Sequence, residues 1–185
     1  KDESLKYPFA EMASVEAETV KVPAKSSVST YITVTLPEEE FDGVVLGSIK
    51  LTDITARLEN ESKEDGQGIG ILNEYEYVLA VLLRENDKEI APDFKLLDIF
   101  TGLSNYQAAI TVPIQNPTAQ IMGDAIFDGA IYKKGSSEPI FSVTGDDFDI
   151  APNSVMNYRF IDEKGYGISS GDYKFIGKVE YKGQT

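Results

Sequence analysis

Between Ser26 and Leu36 the chain alternates, with Val28, Thr30, Ile32, Val34 and Leu36 on one face and Ser29, Tyr31, Thr33 and Thr35 on the other. A period of two in β-branched residues predicts a half-buried strand. Pro23-Ala24 before it and Pro37-Glu38-Glu39-Glu40 after it mark its turns. A shorter strand is predicted at Thr19–Val22, and another along Phe41–Leu51. Gly43 and Gly47 in the latter imply a bulge or close backbone packing. Ile71–Glu85 alternates at first and then turns apolar throughout, which predicts a long strand buried on both sides and passing from one domain to the next.

The second half continues in the same manner. Strands are predicted at Phe94–Phe100, through Tyr106, Ala108, Ile110, Val112 and Ile114, and along Ile121–Tyr132. Pro139–Val143 and Phe148–Ile150 are predicted as two strands flanking an acidic turn. Val155–Phe160 and a last strand through Tyr173, Phe175, Gly177, Val179 and Tyr181 follow. Only Ser4–Ser14 and Asn105–Ala109 invite a short helix. Residues from about 90 onward supply about seven strands, the complement of one immunoglobulin-sized unit. Residues 1–70 supply too few to close a sandwich. The expected fold is therefore all-β: two immunoglobulin-like β-sandwich domains in tandem, the first incomplete. The boundaries fall at 1–70 and 71–185, with 71–90 as crossing strand or linker.

Composition narrows the function. Hydrophobic residues make up 42% of the 185, enough for packed cores. Seventeen basic against 31 acidic residues give a net charge of −14, which opposes nucleic acid and anionic lipid alike. Residues 1–71 and 72–185 share that charge evenly, so neither is an acidic tail. Cys and His are absent, which removes disulfides, thiol nucleophiles, zinc-thiolate sites and the commonest general base. No enzyme and no cofactor is expected. No apolar run reaches the ~18 residues that span a bilayer, and no secretion signal precedes the first strands.

Candidate chemistry is sparse. Asp146, Asp147 and Asp149, with Asp124 and Asp128 nearby, could supply oxygens to calcium, but the spacing of a calcium loop is missing. A solvated turn is the plainer reading of that cluster, as it is for Glu38–Glu40 and for residues 59–65. The Gly66–Gly70 run precedes a strand and so is a loop, not a phosphate cradle. Ten tyrosines raise the prospect of a sugar-stacking platform, with Tyr31, Tyr75 and Tyr77 as the candidate binding surface. Packing between strands, with the hydroxyl wet, is the alternative and the favoured reading.

Several stretches then carry a resemblance. Leu5-Lys6-Tyr7-Pro8-Phe9, Val20-Lys21-Val22-Pro23-Ala24-Lys25-Ser26-Ser27 and the run from Leu36 to Gly47 resemble the C-terminal half of the first domain of the WxL-interacting surface proteins of low-GC Gram-positive bacteria. Glu85-Asn86-Asp87-Lys88, Leu103-Ser104-Asn105-Tyr106, Gln115-Asn116-Pro117, Tyr132-Lys133-Lys134-Gly135, Ala151-Pro152-Asn153-Ser154 and Gly171-Asp172-Tyr173 are similar to that family's second domain. The resemblance implies an extracellular, cell-wall-associated protein with a peptidoglycan-binding first domain and a host-protein-binding second. It also implies partners that carry a WxL domain, and a C-terminal membrane helix in the full-length form. On that resemblance the first domain is incomplete at its N-terminus, and it is expected to be completed by another chain or fragment. A carbohydrate-binding module without a protein partner is the alternative.

Overall fold

The computed structural model describes residues 2–55, 57–58 and 73–183. The expectations for the loop at 59–70 lie outside these residues. The chain is all-β, with strands gathered in several separate sheets and little helix. It divides into two compact units, and each draws on non-contiguous segments.

The first unit holds 1–7, 37–45 and 84–185. Its strands are β5 (Lys95–Leu96), β6 (Phe100–Ser104), β7 (Gln107–Asn116), β8 (Met122–Lys133), β9 (Pro139–Ile150), β10 (Ser154–Ile161) and β11 (Tyr173–Glu180). In one antiparallel sheet β7 is central, with β10 on one side and β5 and β6 in succession on the other. In the second, β8 is central between β11 and β9. The period of two explains why the sheets face each other. Ile110, Val112 and Ile114 of β7 and Phe160 of β10 meet Phe127 and Ile131 of β8 in one buried cluster. A smaller cluster of Met122, Ala125, Ile150 and Tyr181 closes one end. Burial of each core phenylalanine contributes about 1.5–3 kcal/mol relative to exposure.

The second unit holds 8–36 and 46–83. It contains a short helix, α1 (Phe9–Met12), and strands β1 (Ala13–Val15) and β2 (Ile32–Val34), which pair antiparallel over three residues. It also contains β4 (Tyr75–Leu83) and, from Leu46 on, β3 (Val45–Asp53); these two strands form a second two-stranded sheet. Gly47 is a close-packing glycine: a Cβ there would overlap the ring of Phe9.

Several sequence expectations are corrected. Ser26–Leu36 forms a strand only at Ile32–Val34, because β1 offers just three residues to pair with, and Val28 and Leu36 remain exposed. Thr19–Val22 is not a strand. Phe41 and Val44 leave the predicted strand and are buried in the first unit, so β3 starts at Val45. The apolar run of β4 is not buried on both sides: Val78 is 64% and Leu79 54% exposed, since its only strand partner among the described residues is β3.

Phe94–Phe100 is two short strands separated by an irregular stretch, not one. Asn105 and Tyr106, with φ of 47° and 66°, make the two-residue turn of the β6–β7 hairpin, where the sequence invites a short helix. The acidic stretch near Asp146 is not a turn between two strands. It lies within one continuous strand, β9, whose register shifts beside Gly145 (φ 69°) as in a β-bulge. Of the Ser4–Ser14 helix only α1 forms.

Candidate functional site

The loops at one end of the first unit are held by amides. Asn116 is fully buried at the end of β7; its Nδ2 donates to the carbonyls of Gln120 (2.8 Å) and Ala151 (3.0 Å). Its Oδ1 accepts from Thr118 N (3.0 Å) and Thr118 Oγ1 (2.7 Å). Asn153, in the left-handed region at φ 50°, donates from Nδ2 to Pro117 O and Ser4 O, both at 3.0 Å. Gln115 Nε2 donates to Asp2. Burial raises the Asp2 carboxyl, but hydrogen bonds from Ser4 and Gln115 outweigh it and leave the pKa lowered. Asn86 does the same work for 37–45, donating to Glu40 Oε1 (2.7 Å), Asp42 Oδ1 (3.1 Å) and Phe41 O (3.3 Å). Lys88 pairs with Asp42 beside it. These residues belong to the stretches that carry the resemblance, and they bind the chain's own loops.

The acidic candidates are separated by the pleat. Asp146 pairs in register with Phe127, which faces the core, whereas Asp147 pairs with Ile126, which faces solvent. Asp146 accepts the Tyr158 hydroxyl at 2.8 Å. Burial, then the Asp146 carboxylate, pushes Tyr158 up to about 12. Asp149 accepts from Asp124 N at 3.0 Å. Asp128 accepts from Gly145 N at 2.7 Å and pairs with Lys178 at 3.1 Å; these contacts, the backbone one first, hold its carboxyl below the usual range. Among the described residues no group of three or more acidic side chains is placed to hold a metal ion.

The candidate tyrosines all lie in the second unit and all face outward: Tyr31 is 70%, Tyr75 70% and Tyr77 65% exposed. Tyr75 and Tyr77 share a face of β4 by the period of two. On the other face Glu76 pairs with Lys50 at 2.6 Å, and Arg57 reaches Glu74 at 3.0 Å. No ring contact joins Tyr31, Tyr75 and Tyr77 to other aromatic residues among the described residues.

Sequence reasoning missed the apolar surface of the first unit. Leu96, Phe100, Leu103 and Tyr106 line its β5–β6 edge, with Leu103 75% and Tyr106 99% exposed. The signal was present in Leu103-Ser104-Asn105-Tyr106, because Asn tolerates the left-handed turn that exposes its neighbour. A groove of about 390 Å³ opens between β5 and β11, over Phe127 and Val112.

Paired sheets over one core, amide-braced loops and open apolar surfaces describe a β-rich binding protein. The chain belongs to the WxL-interacting protein family. The model for the WxL Interacting Protein host binding domain matches residues 66–185, and that for the WxL Interacting Protein peptidoglycan binding domain matches residues 1–53. No curated protein and no solved structure matches it. Both families are binding domains, not enzymes, and together they imply a cell-surface binding protein. Among the described residues no helix is long and apolar enough to cross a membrane.

Proposed function

We propose that this protein is a non-enzymatic surface scaffold that assembles with WxL-domain proteins, contacting the cell wall through residues 1–70 and a host protein through residues 71–185. The observation that carries the reading is the pair of matched domain families, which divide between residues 53 and 66. The exposed Leu103 and Tyr106 beside an open strand edge support a protein-binding role for the second part. Immunoglobulin-like sandwich architecture is proposed for that part, supported by two antiparallel sheets that share one core. For the second unit, which joins segments of residues 1–70 to β4, two sheets of two strands each, with Val78, Leu79 and Leu82 exposed, favour completion of the first domain by strands of another chain or fragment. A C-terminal membrane helix in the full-length form belongs to the same proposal.

The test is retention. The purified chain is sedimented with insoluble peptidoglycan and, separately, co-purified with a WxL-domain protein. Retention by both is expected; retention by neither removes the proposed function while leaving the fold untouched.

The second reading, a glycan-binding module, is favoured by the exposure of Tyr31, Tyr75 and Tyr77. On that reading Tyr75→Ala with Tyr77→Ala weakens sedimentation with peptidoglycan by about tenfold and spares protein partners, since each lost stack costs about 0.5–1.5 kcal/mol.

A further inference from the structure

Among the described residues, the two sheets of the first unit leave one side open. β5 and β6 form the outer edge of one sheet and β11 the outer edge of the other. Beneath the groove between β5 and β11 lie the buried core residues Val112, Ile114 and Phe127, and the half-buried Phe94, with Phe175 and Val179 along β11, form its accessible walls. Phe94 and Tyr181, in edge-to-face contact at 6.4 Å, stand at its end. β11 pairs with β8 on one side and with no strand on the other among the described residues, so its outer amides and carbonyls lack ladder partners there. An apolar trough beside an unpaired strand edge is the shape that an added strand fills.

The rim gives the occupant its charge. Lys95 is exposed and makes no ion pair among the described residues, and Lys178 on β11 shares its charge between Asp128 and Glu180. Asp93 is the acidic side chain lining the groove. In a chain of net charge −14, Lys95 is an exposed cation without an ion pair among the described residues, at the lip of an apolar site.

We propose that this groove receives one extended strand from another polypeptide, antiparallel to β11, with apolar side chains at alternate positions and acidic residues at its ends. The proposal deepens the binding-protein reading by naming the chemistry of a partner segment. A strand of eight residues, the length of β11, spans roughly 26 Å, with four side chains turned toward the half-buried Phe94, Phe175 and Val179. Main-chain pairing along β11 supplies affinity, the alternating apolar side chains supply register, and an acidic end meets Lys95.

The probe is an end-blocked nonapeptide with valine at alternate positions, threonine between them and glutamate at both ends. The control has the same composition with its valines contiguous. With the full chain we expect saturable binding of the probe only, and slowed hydrogen exchange at alternate β11 amides. Lys95→Glu, at an exposed side chain, should weaken binding by about three- to tenfold, and a lysine-ended probe should recover it. The proposal is overturned by absence of binding, by equal binding of the control, or by binding that leaves β11 exchange unchanged. It is overturned equally if the outward-facing β11 amides, those not bonded to β8, are already protected in the chain alone. Concentration-dependent protection then identifies a second copy as the occupant, and concentration-independent protection identifies the chain's own residues. Retention on peptidoglycan or a WxL-domain protein does not use the probe, so failure here and failure of the proposed function are read separately.

Discussion

Asn116 shows how much one side chain organises. Its amide answers two carbonyls and two donors of the 116–120 and 151 loops from a fully buried position. Asn116→Ala strands those groups, and each buried unsatisfied partner costs about 1–3 kcal/mol. We expect a loss of roughly 3 kcal/mol, read as a lower midpoint in urea with the slope of the transition unchanged. Tyr158 carries a pH dependence. Its hydroxyl titrates near 10.0 when unfolded and near 12 when folded, because burial and the Asp146 carboxylate disfavour the phenolate. The unfolded chain therefore loses this proton first. The contribution is complete below pH 10 and declines between about 10 and 12. Tyr158→Phe should flatten that part of a stability-against-pH curve; an unchanged slope would show that the pair is not formed in solution.

At the scale of elements, glycines set how closely segments approach. Gly43 has φ +84°, and a Cβ there would overlap the Ala119 carbonyl, whose oxygen accepts from Val44 N at 2.7 Å. Gly43→Ala brings strain and overpacking together, at about 2–3 kcal/mol. Thermal melts should show it, whereas Gly102→Ala on β6, with nothing near its Cβ, should stay within about 0.5 kcal/mol. The strands explain what was legible. β7, β8, β10 and β11 were readable from alternation because each buries one face against a common core. The acidic residues around Asp146 read as a turn, yet β9 is an edge strand that keeps Asp147 and Asp149 on its solvent face and gives Asp146, on the other face, the Tyr158 hydroxyl as a partner. Ser26–Leu36 alternates as cleanly as any of these and is mostly not a strand, because pairing needs a neighbour and β1 ends after three residues.

Across the whole chain, stability should be uneven. The first unit has two buried clusters under its sheets, while the strands of the second pair in twos and leave Leu51, Val78, Leu79 and Leu82 exposed. Local opening costs least where few apolar contacts break. In the chain without a partner, amides of β3 and β4 should exchange at least about a hundredfold faster than those of β7 and β8, since a difference of about 3 kcal/mol in opening energy corresponds to that ratio. Comparable rates would mean that the paired strands are covered in solution, as completion by another chain requires. The alternating patterns of β7, β8, β10 and β11 and the family stretches determined an all-β chain of WxL-interacting type, because both are written in local order along the sequence. Tertiary structure alone decided which alternating segments find a partner and which acidic residues share a face. It also decided that 37–45 joins 84–185 in one unit, and that an apolar groove stays open beside β11. Those outcomes depend on which distant segment comes to lie alongside, and a period of two does not encode that.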